Sequence, residues 1–192
     1  MALDANEMLA MIEQLWAQDR ALKDGWTEDQ RQATRFTPAG FVLQYGRTFS
    51  HVVRAGEDGC PDLGLGRCYQ NSFNMVHKDP ARFVYCEGFG LPGHNSPVLP
   101  HAWVYDSERM MALDTTWTDG IVIAGVPFRI DYCTEMWFRY AQRNAFGGLI
   151  DCWELGIPLL TGCHKPEHFL ETDFTLPASD GMMQPSLSLE SP

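Results

Sequence analysis

The stretch that decides the fold is residues 98–117, VLPHAWVYDSERMMALDTTW, which reads as two strands joined by a short polar loop. In the first run His101 and Trp103 alternate with smaller residues, and the second run, ending near Asp114, alternates in the same way. Aromatic and β-branched side chains that repeat every two residues are typical of strands. Residues 106–109 (DSER) contain no Gly or Asn for a tight turn, so the pattern predicts an antiparallel hairpin with a four-residue loop.

The pairing expected across this hairpin brings an imidazole and a carboxylate to the same face. With the tip at residues 107–108, Val104 pairs with Met111, and His101 lies directly opposite Asp114. Directly opposed side chains in an antiparallel pair have Cβ atoms about 4.5–5.5 Å apart. A carboxylate at that distance accepts a hydrogen bond from one imidazole nitrogen, which fixes the tautomer and stabilises the imidazolium. A register slip of one residue would instead place the two groups on opposite faces.

A cysteine precedes the hairpin in a setting that favours a thiolate. Residues 66–73, GRCYQNSF, follow a glycine-rich loop, and the apolar pattern continues to a stop at Asp79-Pro80. The pattern predicts a short helix with Cys68 at or near its N-terminus. Unpaired backbone N–H groups and the helix dipole stabilise an anion there, so we expect a lowered pKa for the Cys68 thiol. The backbone N–H of Cys68 is a candidate donor to a developing oxyanion.

Taken together, these pieces resemble the transglutaminase-like superfamily, the papain-related group of Cys-His-Asp enzymes. The matching pieces are G-x-C at 66–68, Y-x-E-G at 85–88, H-A-W at 101–103 and D-x-T-W at 114–117. The resemblance implies that Cys68 is the nucleophile, His101 the general base and acid, and Asp114 the residue that orients the imidazole. The chain departs from the family at Thr115, where a proline is more common.

The same resemblance implies an α+β fold, in which a helix bearing the cysteine packs on an antiparallel β-sheet carrying the histidine and aspartate, with flanking helices. Small members of this kind include uncharacterised bacterial and bacteriophage proteins. We predict a single transglutaminase-like domain over residues 1–174, followed by a flexible C-terminal tail over 175–192. Residues 1–35 form an N-terminal helical arm, which is interpreted as packing on the domain rather than binding a partner.

Four further residues are candidates for the substrate or oxyanion site: Gln44, Tyr69, Asn71 and Trp103. Tyr69 and Asn71 follow the cysteine directly, and they either line the cleft or cap the helix and face solvent. Gln44 lies on a strand predicted within residues 36–53. Papain-type enzymes use a glutamine upstream of the cysteine as an oxyanion donor, but the long separation of Gln44 from Cys68 in sequence disfavours that role.

Two other features have a structural and a functional interpretation. Glu87 stands in a mostly apolar strand, where an edge position or structural hydrogen bonding is favoured over a functional role. Cys163, His164 and His168 invite a zinc site, but Pro166 interrupts them and no paired C-x-x-C completes the set. Surface histidines are therefore favoured, and we predict no metal and no other cofactor.

The composition narrows the class of protein. The chain has 192 residues, of which 45% are apolar, and a net charge of −11. The length suits one sizeable domain, and the charge disfavours nucleic acid and anionic membranes as partners. Six cysteines without a basic and apolar N-terminal leader predict a reduced, cytoplasmic protein. No apolar run approaches transmembrane length, and the oligomeric state stays open.

Two functions from different classes fit these features. The first is a cysteine hydrolase or acyltransferase that forms a thioester with a peptide, protein or small acyl substrate. Within it, peptidase, amidase or deamidase activity is favoured over transfer to an amine. The second is a binding or inhibitory protein on the same scaffold, such as a phage factor that binds a host protein. A lowered pKa of Cys68 predicts the enzyme, and an ordinary thiol predicts the binding protein.

Overall fold

The protein has an α+β fold, as the sequence predicts. The computed structural model describes residues 5–25, 27–28, 36–49, 51–93, 95–120, 123–142, 147–150, 159–161 and 164–176. Within these residues, five helices are α1 (Ala5–Lys23), α2 (Pro38–Tyr45), α3 (Cys68–Lys78), α4 (Ile130–Gln142) and α5 (Pro166–Phe169). The strands are β1 (Arg47–Phe49), β2 (Val52–Val53), β3 (Phe83–Gly90), β4 (Leu99–Asp106), β5 (Met111–Leu113) and β6 (Ile123–Phe128). None of the described helices is both long and apolar enough to cross a membrane.

The six strands form one mixed sheet in the order β1-β6-β3-β4-β5-β2. Neighbours are antiparallel except β2 and β5, whose pairing is parallel, so the sheet is not antiparallel throughout. Phe49 ends β1 and Val52 begins β2, yet these strands lie at opposite edges. Three residues span at most about 11 Å, whereas the edges of a flat six-stranded sheet lie about 24 Å apart. The sheet must therefore curl so that its edges approach each other.

The two faces of the sheet bury different amounts of apolar surface. All five described helices contribute to the main core on one face, where α1 buries Met8, Ile12 and Trp16. This burial supports the packing interpretation of the N-terminal arm, although residues 29–35 lie outside the described part. The opposite face carries a smaller cluster. Residues 174–176 cover it, and Tyr105 donates its hydroxyl to the carbonyl oxygen of Thr175 at 2.5 Å.

This packing shifts the start of the predicted tail. Phe174 and Leu176 pack against the smaller cluster. The chain is thus held to the sheet through residue 176, two residues into the range predicted to be flexible. The remainder of that range, 177–192, lies outside the described residues.

The strand expected within residues 36–53 is wrong over most of its length. Residues 38–45 form α2, which Thr37 caps by accepting the amide of Gly40 at 3.1 Å. Pro38 occupies the first turn, where its missing N–H is not needed. The apolar run from Phe41 is buried on all sides, and such a run has no period that separates a helix from a strand. The Thr-Pro pair was the signal that would have identified the helix.

The hairpin between β4 and β5 has the expected four-residue loop but a different register. The loop is residues 107–110, and Met110 takes a left-handed conformation with φ 52°. Val104 pairs with Leu113 rather than with Met111, which is a shift of two residues. Asp106 sets this loop because its Oδ1 accepts the backbone amides of Glu108 at 3.1 Å and Arg109 at 3.2 Å. A two-residue shift leaves each side chain on its predicted face.

Candidate active site

A buried hydrogen bond joins His101 on β4 to Asp114, the residue that follows β5. The distance from Nε2 to Oδ2 is 3.0 Å, and the two side chains are 1% and 0% exposed. The other carboxylate oxygen, Oδ1, accepts the backbone amides of Thr116 at 2.9 Å and Trp117 at 3.1 Å. Both oxygens are thus fixed. With Nε2 donating to Asp114, the remaining ring nitrogen is left as a proton acceptor.

The route to this contact differs from the predicted one. Strand β5 ends at Leu113, and in the observed register His101 is not directly opposed to Asp114. The turn held by Oδ1 brings the carboxylate to the imidazole instead. The sequence therefore identified the pair of residues correctly and misassigned the backbone geometry that joins them. Nδ1 of His101 is buried and has no hydrogen-bond partner among the described residues.

The indole of Trp117 covers the imidazole. The rings of Trp117 and His101 are stacked with centroids 3.5 Å apart and planes 7° apart. Trp117 is itself half-buried, so it separates His101 from solvent. The D-x-T-W pattern contains Trp117 but does not by itself predict this contact. The signal available in the sequence was an aromatic residue three positions after Asp114.

Cys68 is the first residue of α3, and this helix packs on β3 and β4. Its N-cap, Arg67, makes no side-chain capping bond. The thiol is half-buried. The backbone amides of Ala102 and Tyr69 both approach the sulfur and favour its thiolate form. Cys68 therefore lies against the strand residue that follows His101.

The sheet leaves the amide of Ala102 available for this contact. Ala112 and Asp114 donate their amides toward β2 at 2.8 and 2.9 Å, so the amide of Leu113 between them faces β4. The backbone amide and carbonyl of its partner Val104 therefore point toward β5. Because the direction of these groups alternates along a strand, the amide of Ala102 points to the same side. Because β5 pairs with β4 only at residues 104–106, the amide of Ala102 has no strand partner on this side among the described residues.

The expected lowering of the pKa of Cys68 is wrong. Burial raises the pKa of this thiol to about 11, with smaller increases from the charges of Glu87 and Asp114. The amides of Ala102 and Tyr69 act in the opposite direction but do not outweigh burial. The sequence indicated the helix N-terminus and could not indicate that the packing of α3 on β4 desolvates the sulfur. At neutral pH the resting state is a neutral thiol.

The loop before α3 connects the cysteine helix to residues 114–117, called the aspartate segment below. The amide of Leu63 donates to the carbonyl of Thr115 at 2.9 Å, and the thiol of Cys60 contacts the carbonyl of Asp114 at 3.4 Å. On the other side, Nδ2 of Asn71 donates to the carbonyls of Leu63 and Gly64 at 3.3 and 3.4 Å. Asn71 thus holds this loop in place from within α3.

The remaining predicted site residues have different surroundings. The side chain of Tyr69 packs partly against the main core, while its amide approaches the thiol. Trp103 is fully buried in the smaller cluster, and its indole N–H has no hydrogen-bond partner among the described residues. Gln44 is exposed on α2, and this helix packs mainly on α1, β3 and β6. Cys68 instead lies on α3, which packs on β3 and β4, so the described packing does not bring Gln44 to the thiol.

Glu87 is a buried structural carboxylate, as the favoured interpretation predicts, but it is not at an edge. It lies on β3 between β4 and β6 and is 2% exposed. The hydroxyl of Tyr85 donates to it at 3.0 Å, and the amides of Leu149 and Ile150 donate at 2.7 and 2.8 Å. It therefore fixes residues 149–150 to the centre of the sheet.

The histidine and cysteine side chains form no recognisable metal site in the described part of the chain. Within the described residues, no cluster of three or more His, Cys, Asp or Glu side chains could hold a metal ion. His164 packs edge-on against Tyr132, and His168 lies in α5, whereas Cys163 is outside the described part. The described cysteines that are free thiols are Cys60, Cys68, Cys86 and Cys133.

The comparisons with known proteins identify no relative. No protein-family model, no curated protein and no solved structure matches the chain.

Proposed function

We propose that the protein is a thiol-dependent hydrolase or acyltransferase of the transglutaminase-like kind, with Cys68, His101 and Asp114 as its catalytic residues. The observation that carries the proposal is the buried bond from Nε2 of His101 to Asp114, one residue from the amide that contacts the Cys68 sulfur. The packing of the cysteine helix on β3 and β4, with His101 on β4 and Asp114 directly after β5, supports this assignment.

The proposed reaction has two stages. As Sγ of Cys68 bonds to the acyl carbon, its proton passes to Nδ1 of His101, and Asp114 stabilises the imidazolium. The tetrahedral intermediate then breaks the bond to the leaving amine, alcohol or thiol, which takes the proton from Nδ1. Water or an amine attacks the resulting thioester, giving its proton to Nδ1. The second tetrahedral intermediate then breaks its bond to sulfur, which takes the proton back from Nδ1, and an acid or a new amide is released.

The raised pKa of Cys68 determines how the thiol is activated. With a pKa of about 11, a preformed thiolate is rare at neutral pH. His101 therefore acts as a general base during attack rather than as one half of a standing ion pair. The backbone amide of Cys68, at the start of α3, is a candidate donor to the oxyanion.

The proposal also names the bond that is cleaved and the acceptor of the acyl group. Hydrolysis of an amide or peptide bond is favoured over transfer to an amine, because water is the acceptor present at the highest concentration. The free thiols, including that of Cys68, suit a reducing compartment such as the cytoplasm. No cofactor enters any of the steps.

Trapping the acyl-enzyme tests this proposal. A p-nitrophenyl ester should add one acyl group to Cys68, seen by peptide mass spectrometry, and release p-nitrophenolate in a burst. His101→Gln should abolish the burst, whereas His51→Gln, which changes an exposed histidine, should leave it unchanged. Acylation that is equally fast without His101, or that falls on another cysteine, would overturn the proposal.

The raised thiol pKa also favours a second candidate, a binding protein on this scaffold. An inactive site has no need of an activated sulfur, and the charge of −11 would suit a basic surface on a partner such as a host protein bound by a phage factor. This candidate predicts no acyl-enzyme and predicts that Cys68→Ala retains partner binding in a pull-down.

A further inference from the structure

We propose that the substrate is an extended peptide whose large apolar side chain, close to the reacting carbonyl, binds Leu63, Leu65 and Leu99. This inference rests on the proposed function and assigns its substrate class. The three leucines are called the leucine rim below.

The three residues of the leucine rim are exposed, and each lies within a few residues of Cys68 or of Ala102. Leu63, Leu65 and Leu99 are 44%, 76% and 40% exposed, although large apolar side chains usually lie inside a domain. Leu63 and Leu65 precede Cys68 by five and three residues. Leu99 precedes by three residues Ala102, whose amide contacts the Cys68 sulfur. The other large apolar side chains exposed to a similar degree in the described residues are Met110 and Phe138.

The backbone holds these leucines outward. Leu65 stands between Gly64 and Gly66, whose φ angles of 86° and 78° are left-handed and strain any other residue. Leu63 is fixed by its amide and by its carbonyl, which bond to the aspartate segment and to α3. Leu99 is a residue of β4. The exposure of the leucine rim is therefore set by defined backbone conformations.

An extended peptide fits the neighbouring backbone. Over residues 99–103, β4 has no strand partner on the β5 side within the described residues. By the alternation of strand groups, the carbonyl of Pro100, an exposed residue, faces that side and can accept a backbone amide of a peptide. Asp62, exposed beside Leu63, repels acidic side chains. An apolar, non-acidic peptide is consequently the best match.

Peptidyl chloromethyl ketones provide the probes, because the thiol forms a bond to the methylene carbon as chloride leaves. Three probes carry leucine, glycine or aspartate at both positions before the ketone, and a fourth is an aliphatic chain without backbone amides. The leucine probe should label Cys68 about tenfold faster than the glycine probe. Leu65→Asn and Leu99→Asn should each slow the leucine probe about threefold or more, and leave iodoacetamide labelling unchanged. Phe138→Asn, an equally exposed position on α4, is the matched control.

The outcomes separate this inference from the function beneath it. Normal iodoacetamide labelling with no preference for leucine, or with a preference that survives both rim variants, overturns the leucine rim alone. An aliphatic probe as fast as the leucine peptide overturns the choice of a peptide. Failure of every reagent to label Cys68 overturns the proposed function and the rim together.

Discussion

Replacing Trp117 with leucine tests whether its indole supports the protonated state of His101. The backbone amide of Trp117 donates to Asp114, and its carbonyl accepts the amide of Ala55 at 3.2 Å. Both bonds survive a side-chain replacement. Leucine still covers part of the imidazole but presents no aromatic face to it.

The geometry sets the size of the effect. The rings are 3.5 Å apart and nearly parallel, and His101 is 1% exposed. A cation over an indole face gains about 0.5–1 kcal/mol when exposed and about 2 kcal/mol or more when desolvated. In the proposed reaction, His101 becomes a cation when it takes the thiol proton. A loss of about 1–2 kcal/mol in that state slows acylation by about 5- to 30-fold.

Single-turnover acylation by a p-nitrophenyl ester measures this loss. Trp117→Phe should retain most of the rate because it keeps an aromatic face, whereas Trp117→Leu should show the full decrease. Trp137→Leu removes a half-buried tryptophan that stacks on Phe73 at 4.6 Å, and it should leave acylation unchanged. If the leucine variant acylates as fast as the unmodified protein, the indole contributes nothing to the charged state and the reasoning fails.

Three further predictions follow from the described contacts. Asp114→Asn should lower the acylation rate about 10³- to 10⁴-fold, with an unchanged circular dichroism spectrum. The two amides at Oδ1 force the asparagine Nδ2 toward His101 and thus reverse the imidazole tautomer. Iodoacetamide alkylation of Cys68 should rise about tenfold per pH unit from pH 7 toward the pKa of about 11, and a plateau near pH 7 in the mass-spectrometric rates would contradict this. Glu87→Ala should lower the free energy of unfolding in urea by about 3–5 kcal/mol, because two backbone amides and the Tyr85 hydroxyl lose their acceptor; a loss below about 1 kcal/mol would contradict this reading.

The residues of the candidate site were predicted more accurately from the sequence than the backbone pairing that holds them. Period-two alternation predicted the strand that carries His101 and the loop that follows it. The helix signals correctly placed Cys68 at the N-terminus of a helix. The register was set by the side chain of Asp106, the last residue of β4, and hydrophobic alternation does not respond to a shift of two residues. Alternation therefore found the right face and could not find the right partner.

Other features depend on contacts between segments distant in sequence. The pKa of Cys68 is raised because α3 packs against β4, and no local pattern reports that desolvation. Likewise, the stacking of Trp117 on His101 depends on the turn that follows β5. The helix over 38–45 is a different case, since its Thr-Pro start was present in the sequence and was outweighed by the apolar run.

The short connection between β1 and β2 gives the curled sheet a consequence for the chemistry. The carbonyl of Val53 on β2 accepts the amide of Asp114, so the backbone of Asp114 is held by a strand at the edge of the sheet. Residues 50–51 alone join β2 to β1, and β1 pairs with β6 over three residues. This short connection therefore limits how far β2, and the backbone of Asp114 bonded to it, can move away from β1. Lengthening the connection by glycines should loosen the bond between Asp114 and His101 while leaving the helix of Cys68 intact.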